Sequence, residues 1–267
     1  QAAEASDVIV VAVGERFGQS GEKASKVNIA IPEGQQKLVS ELAKTGKPVI
    51  ALVMCGRPVI FNEIREHADA VLCTWWLGSE AGNAICNVLW GEYNPSAKLP
   101  MTFPAHVGQI PIYYQNKSTG RPTALQQTYK ASYIDASTEP AYPFGYGLSY
   151  TDFGYSDLKL LPGKAAGVHT EVSVKVTNTG KCAGEEVVQL YVQDKVASVT
   201  RPIKELKGFR KIHLNAGESK TVVFQITDDA LGFYDNEMNY MVEPGDFVFM
   251  VGGSSDDVQQ ITYNLEE

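Results

Sequence analysis

Val8-Ile-Val-Val-Ala-Val-Gly-Glu-Arg-Phe-Gly-Gln-Ser-Gly-Glu22 is an apolar run that breaks into a glycine-rich loop carrying two carboxylates, Glu15 and Glu22. A β-branched run without polar alternation predicts a strand buried on both faces. The loop leaving the carboxyl end of such a strand is where open α/β sheets hold their ligands. Only seven residues precede Val8. An α/β sheet seldom opens so abruptly, and the expectation is that the natural protein continues upstream of Gln1.

Outward from this strand, the pattern repeats. Pro48 to Met54 and Ala70 to Trp75 read as further buried strands. Between the first two lies Pro32 to Gly46, with proline near its start, Leu38 and Leu42 four apart, and glycine at its end, which predicts a helix. Ile60 to His67 gives a shorter helix, and Ser79 to Trp90 another, with Ser79 as N-cap and Ala84, Ile85, Val88 and Leu89 as its apolar stripe. Strands alternating with helices imply a parallel sheet with right-handed crossovers.

Residues 94 to 152 break this alternation. They are rich in Pro, Gly, Tyr and Thr, which predicts a long irregular segment packed over a surface. After Phe153 the period becomes two. Val172 to Val176, Val187 to Val192, Lys220 to Ile226 and Phe247 to Val251 read as strands, separated by turn signals at Asn178-Thr-Gly180, Asn215-Ala-Gly217 and Pro244-Gly245. About seven short strands describe an antiparallel sandwich of fibronectin-III or immunoglobulin type. The expected architecture is α/β followed by all-β: a partial α/β sandwich with a mainly parallel sheet over 1–152, N-terminally incomplete, then an antiparallel sandwich over 153–267.

The composition bounds the function. The 267 residues suffice for two domains. A net charge of -8 without any Lys/Arg run argues against a nucleic-acid partner. No stretch approaches the roughly 18 consecutive apolar residues of a membrane span. Cys55, Cys73, Cys86 and Cys182 show no CxxC spacing and no histidine at ligand distance, so they read as small buried thiols and no metal site is expected. His67, His106, His169 and His213 are scattered, without triad or metal spacing.

The loop after Val13 can be compared with three chemistries. Gly14-Glu-Arg-Phe-Gly18 is not the G-x-G-x-x-G of a dinucleotide site, and no helix follows closely enough to aim its N-terminus at a pyrophosphate. Gly18-Gln-Ser-Gly-Glu22 nearly spells a serine nucleophile elbow, but its fifth position is glutamate. Carboxylate chemistry fits better, because an acid that protonates a leaving-group oxygen must sit on a loop able to enclose its substrate. Glu22, beside Gly21, can project freely; Glu15, directly after the strand, is placed to be fixed by local hydrogen bonds and to orient the loop. Either could equally be a solvated surface glutamate.

Several motifs, in order, carry a resemblance. Gly14-Glu15, Ser20-Gly-Glu22, Gly46-Lys-Pro-Val, Gly56-Arg-Pro58, Trp75-Trp-Leu-Gly-Ser-Glu-Ala-Gly-Asn-Ala84, Trp90 to Pro104, Gly108-Gln-Ile-Pro111 and Tyr142-Pro-Phe-Gly-Tyr-Gly-Leu-Ser-Tyr-Thr151 are followed by Val176-Thr-Asn-Thr-Gly180, Gly184 to Tyr191 and Leu206-Lys-Gly-Phe209. Together they closely resemble the C-terminal half of glycoside hydrolase family 3 β-glucosidases, including the family's fibronectin-III-like domain. The resemblance implies a retaining glycosidase, without a cofactor, whose active site is shared with an N-terminal (β/α)8 barrel that bears the aspartate nucleophile. On Ser20-Gly21-Glu22 the general acid/base carries over to Glu22, with Glu15 as the alternative.

The barrel and its Ser-Asp-Trp motif do not occur in these residues. The resemblance therefore implies a fragment that is inactive alone, with the barrel of the same protein as its partner and a β-glucoside or oligosaccharide as substrate. It also implies a periplasmic or secreted location. A β-xylosidase of the same family, or a non-catalytic carbohydrate-binding or scaffold module, are the other readings. Trp75 and Trp76 could stack on a sugar ring or serve packing. Glu80 suits the first turn of a helix. Arg57 and Arg121 could meet substrate or pair across the barrel interface. Asn116-Lys-Ser118 is an N-glycosylation sequon that matters only in a eukaryotic secretory context. Tyr142 to Tyr150 reads as a packing strip between the domains.

Overall fold

Ile9–Gly14 forms the first strand (β1), Glu33–Ala43 the first helix (α1) and Val49–Met54 the second strand (β2) in a computed structural model that describes residues 1–118 and 132–266. Asn62–His67 (α2), Ala70–Cys73 (β3), a 3-10 turn at Gly78–Glu80 and Ala81–Leu89 (α3) follow. The strands run parallel in the order β1-β2-β3, with Ile9 opposite Val49 and Ile50 opposite Ala70. Val39 of α1, Val49, Ala51 and Val53 of β2, and Ile64 of α2 are all buried in the core of this sheet and its helices.

The expected burial of β1 on both faces is corrected. Ile9, Val11 and Val13 are buried, whereas Val10 is 47% exposed and Ala12 is exposed. Cover for one face only, in the described residues, turns a continuous apolar run into a one-sided strand. The stripe expected on α1 is also displaced: Leu38 is exposed and Val39 faces the core. Its polar neighbours do structural work instead. Gln35 Oε1 accepts the Gly14 N–H at 2.6 Å, and Gln35 Nε2 donates to the Gly14 carbonyl at 3.1 Å.

The helix expected from Ser79 begins two residues later, after the 3-10 turn, and carries no side-chain cap. Instead Asn83 Nδ2 donates to Glu80 Oε2 at 2.8 Å. No residue of α3 is buried. Cys86 on this helix and Cys182 are exposed, Cys73 is partly buried, and only Cys55 is a buried thiol of the expected kind. Apolar sequence context misleads there because Cys86 lies off the stripe of α3: Ile85, Val88 and Leu89 are partly buried, whereas Ala84 and Cys86 are exposed.

The chain divides into two compact units, and the irregular segment contributes to both. Thr102–Ile112 and Ala136–Tyr142 join the first unit. Phe103 is buried there and packs edge-on against Phe61, Trp75 and Tyr142. Gln109 accepts the N–H groups of Ala105 and His106 and donates to the carbonyls of Ser137 and Glu139, so one side chain ties two irregular strips together. The second unit holds the described residues of Asn94–Met101, Tyr113–Asp135 and Pro143–Glu267. Tyr142 and the rest of the Tyr142–Tyr150 strip thus fall in different units.

The second unit is antiparallel throughout its paired strands. They are Phe153–Pro162 (β4), Val168–Asn178 (β5), Gly184–Asp194 (β6), Glu205–Leu214 (β7), Ser219–Thr227 (β8), Phe233–Tyr234 (β9), Tyr240–Met241 (β10), Gly245–Gly252 (β11) and Val258–Leu265 (β12), with a short helix (α4) at Asp228–Leu231. One sheet has the order β12-β11-β6-β7, a second β4-β5-β8, and β9 pairs with β10 alone. Val172, Val174 and Val176 of β5 meet Val188 and Leu190 of β6 and Phe247 and Phe249 of β11 in one buried cluster. The two-residue alternation puts those side chains on one face; their neighbours Ser173, Gln189, Tyr191 and Val248 are buried too, and Tyr191, Val248 and Met250 form a second cluster. Asn178 closes one corner: Nδ2 donates to the carbonyls of Cys182 and Leu214, and Oδ1 accepts from Thr151 Oγ1 at 2.6 Å.

Candidate active site

The loop that follows β1 starts at a glycine for a steric reason. Gly14 has φ +127, and a Cβ there would stand 2.0 Å from the Met54 carbonyl oxygen. Only glycine lets β1 lie this close to β2 while the chain turns outward. The Glu15 N–H then donates to that same Met54 carbonyl at 2.8 Å, which fixes the first residue of the loop on the end of the sheet.

Glu15 is buried, and both of its carboxylate oxygens are engaged. Oε2 accepts the Gly56 N–H at 3.2 Å. Oε1 lies 3.0 Å from Arg57 Nε and 3.5 Å from Lys26 Nζ. These last two are charge contacts without hydrogen-bond alignment, since neither Oε1 nor Nε finds a hydrogen-bond partner. Two cations and one N–H therefore surround a buried carboxylate, held by one hydrogen bond and two charge contacts. The sequence predicts local hydrogen bonds for Glu15; it is held instead mainly by charge contacts, and its one hydrogen bond comes from Gly56, distant in the chain.

Arg57 belongs to this cluster. Its Nη2 donates to the Gln19 carbonyl at 2.5 Å and to the Ala24 carbonyl at 2.8 Å. One guanidinium thus touches the loop at three places: its root at Glu15 and both sides of its glycine turn. Arg57, read from the sequence as able to meet substrate or to pair across the barrel interface, makes these contacts inside its own unit. Arg121 lies outside the described residues.

Glu22 stands between the two clamped carbonyls. It is exposed, and no hydrogen bond or ion pair engages it among the described residues. Phe17 and Val27 on the same loop are almost entirely exposed. Gly56 presses on the loop from the other side: a Cβ there would stand 1.8 Å from Ser20 Oγ and 2.7 Å from Trp76 Nε1. Ser20 and the Trp76 indole consequently converge on one point, two residues from Glu22.

The adjacent tryptophans separate in space. Trp75 has φ +52, a left-handed conformation that turns the two rings to different surroundings. The Trp75 ring packs edge-on against Phe103 with centroids 5.8 Å apart, whereas Trp76 is 46% exposed beside Gly56. Glu80 stays in its exposed 3-10 turn.

Just behind the site, Cys55 Sγ and Cys73 Sγ are 3.9 Å apart. The thiol contact pushes Cys55 up and Cys73 down from the ordinary range, with burial reinforcing the first and opposing the second. Among the described residues, no group of three His, Cys, Asp or Glu side chains could hold a metal ion.

The two glutamates and both tryptophans stand out in the sequence; the Arg57 clamp does not. Gly56-Arg-Pro58 was a visible motif whose contacts were not. For Lys26 and Ser20 as packing partners there was no signal at all, since their partners lie 11 and 36 positions away in the chain, at Glu15 and Gly56.

Residues 1–150 match the model of the glycosyl hydrolase family 3 C-terminal domain, and residues 186–255 match a fibronectin type III-like domain. A periplasmic beta-glucosidase of Salmonella typhimurium is 48% identical over 99% of this chain, which covers 35% of that protein. A beta-xylosidase of Formosa agariphila is 42% identical over 99% of the chain, which covers 36% of that one. Among solved structures, the beta-glucosidase of Listeria innocua in complex with glucose superposes with a TM-score of 0.92 at 41% identity; 98% of this chain and 37% of that chain are covered. The chain spans about a third of the length of these relatives. With both halves of its fold and nearly its full length matched, the chain belongs to glycoside hydrolase family 3 and corresponds to the C-terminal portion of its β-glucosidases.

Proposed function

We propose that this region supplies the general acid/base, Glu22, to a retaining β-glucosidase that hydrolyses terminal β-linked glucosyl residues. The observation that carries the reading is the contrast between the two carboxylates of one loop. Glu15 has both oxygens committed to Arg57, Lys26 and Gly56, while Glu22 is unengaged and exposed near the loop's glycine turn.

In this reading the nucleophilic aspartate comes from the N-terminal barrel of the same protein. It attacks the anomeric carbon while Glu22 gives its proton to the departing oxygen; Glu22 then takes a proton from the water that releases the sugar. Such a pair of carboxyl groups stands about 5 to 5.5 Å apart. The exposed Phe17 and Val27 support a loop that another part of the protein covers. Trp76 is the aromatic available to lie along a sugar ring, and Trp75 serves packing.

The domain division that goes with this reading is a partial α/β sandwich over 1–152 and a fibronectin-III-like sandwich of immunoglobulin type over 153–267. The Salmonella relative supports a periplasmic or secreted location, and the Formosa relative makes β-xylosides the second substrate class. No helix among the described residues is long and apolar enough to cross a membrane.

The test is Glu22→Gln in the barrel-containing protein. With poor leaving groups, kcat falls by about 10²- to 10⁴-fold, the usual worth of a positioned acid, and azide restores part of the turnover. Retained activity on poor leaving groups overturns the assignment. The purified 267-residue chain by itself is expected to leave an aryl β-glucoside intact, and hydrolysis by it overturns the reading that the nucleophile lies on the barrel.

A further inference from the structure

We propose that Arg57 is the positioning residue of the acid/base loop: its guanidinium holds the turn that carries Glu22 in one place. The proposal rests on the assignment of Glu22 for its catalytic consequence, but not for its structural content.

Three observations carry it. The two hydrogens of Nη2 reach the Gln19 and Ala24 carbonyls, at 2.5 and 2.8 Å, so the ends of a six-residue arc are gathered onto a single nitrogen. Inside that arc the described backbone bonds are only local: Gln19 N–H to the Arg16 carbonyl and Ala24 N–H to the Gly21 carbonyl. The guanidinium is itself anchored, because Nε lies against the Oε1 of a carboxylate whose side chain is 2% exposed.

The order of dependence follows. Glu15, fixed by the Gly56 N–H and by Lys26, aims the Arg57 fork; the fork collects the two carbonyls; the carbonyls set where residues 20 to 23 stand. A planar fork is suited to this because one nitrogen gives two hydrogen bonds to the carbonyls while the same delocalised charge rests against the carboxylate through Nε. Lysine keeps the charge but brings it on one nitrogen.

Two readouts test this separately. Amide hydrogen exchange of the 267-residue chain is compared between the parent, Arg57→Lys and Arg57→Ala. Exchange over residues 16–25 is expected to rise about 10- to 100-fold in Arg57→Ala, and less in Arg57→Lys, while β2 stays protected. Because Arg57→Ala leaves the Glu15 carboxylate short of a partner, the double variant Arg57→Ala/Glu15→Gln is measured too and must show the same loosening. Unchanged exchange in that folded double variant overturns the proposal, whatever Glu22 does.

In the barrel-containing protein, Arg57→Ala lowers kcat for poor leaving groups far more than for good ones at little change in KM, and added guanidinium ion restores part of it. An equal loss on all leaving groups, without rescue, overturns the positioning role. A loosened loop with Glu22→Gln fully active retains the clamp and removes the acid/base assignment instead.

Discussion

Gln35 on α1 and Gly14 at the end of β1 exchange two hydrogen bonds, the Gly14 N–H to Gln35 Oε1 and Gln35 Nε2 to the Gly14 carbonyl. A side-chain amide thus acts as one more backbone unit, satisfying the donor and the acceptor of a residue that the sheet leaves half-paired. Gln35→Leu, a change that would improve the apolar stripe of α1, is expected to destabilise the protein by about 2–3 kcal/mol, because two part-buried backbone groups lose their partners. Urea unfolding measures it, and an unchanged midpoint would refute the role.

The two glutamates of the loop should separate in a stability measurement without any substrate. Glu15→Gln leaves Arg57 and Lys26 without their shared carboxylate and is expected to cost about 2–3 kcal/mol, less than a fully buried pair because both cations are partly wet. Glu22→Gln touches no partner and should leave the thermal midpoint unchanged. Equal shifts for the two variants would show that Glu15 is not the anchor.

Gly56→Ala places a methyl carbon 1.8 Å from Ser20 Oγ and 2.7 Å from Trp76 Nε1. The expected result is a folded protein whose Trp76 emission and quenching change as the loop is pushed away. Ser20→Gly removes one obstacle and should recover part of the shift, giving a coupling of about 1 kcal/mol in a double-mutant cycle. Strict additivity would mean that Ser20 and Gly56 do not share the space.

Thiol chemistry offers a pH-dependent check. Cys73 is shifted down chiefly by the thiol of Cys55, with the Trp75 backbone adding to it; Cys55 is shifted up by the same contact and by burial. As pH rises, Cys73 therefore reaches its thiolate below the ordinary thiol range and Cys55 remains protonated well above it. Alkylation followed by mass spectrometry should modify the exposed Cys86 and Cys182 readily, Cys73 with an early pH onset, and Cys55 only after unfolding. Cys55→Ala should move the Cys73 onset upward; no movement would show that the two thiols do not interact.

The positions of the first strands, the change from α/β to antiparallel architecture and the position of the loop bearing Glu15 and Glu22 were legible in the chain, because each depends on periodicity or on neighbours in sequence; the order of the strands in each sheet was not. Where expectation failed, a contact from elsewhere decided. Val10 and Leu38 are apolar yet exposed, since burial depends on whether another element lies opposite. Ser79 does not cap α3, since the chain spends three residues in a tighter turn first.

The sequence by itself determined that an apolar strand of a parallel sheet delivers two carboxylates to the loop at its carboxyl end, and its motifs placed the chain in its family. Tertiary structure alone decided what distinguishes those carboxylates. Glu15 and Glu22 are chemically identical and seven positions apart, and it is the arrival of Arg57, Lys26 and Gly56 that engages one and leaves the other exposed. Charge and hydrogen bonding act over a few ångströms in space, and separation along the chain does not report that distance.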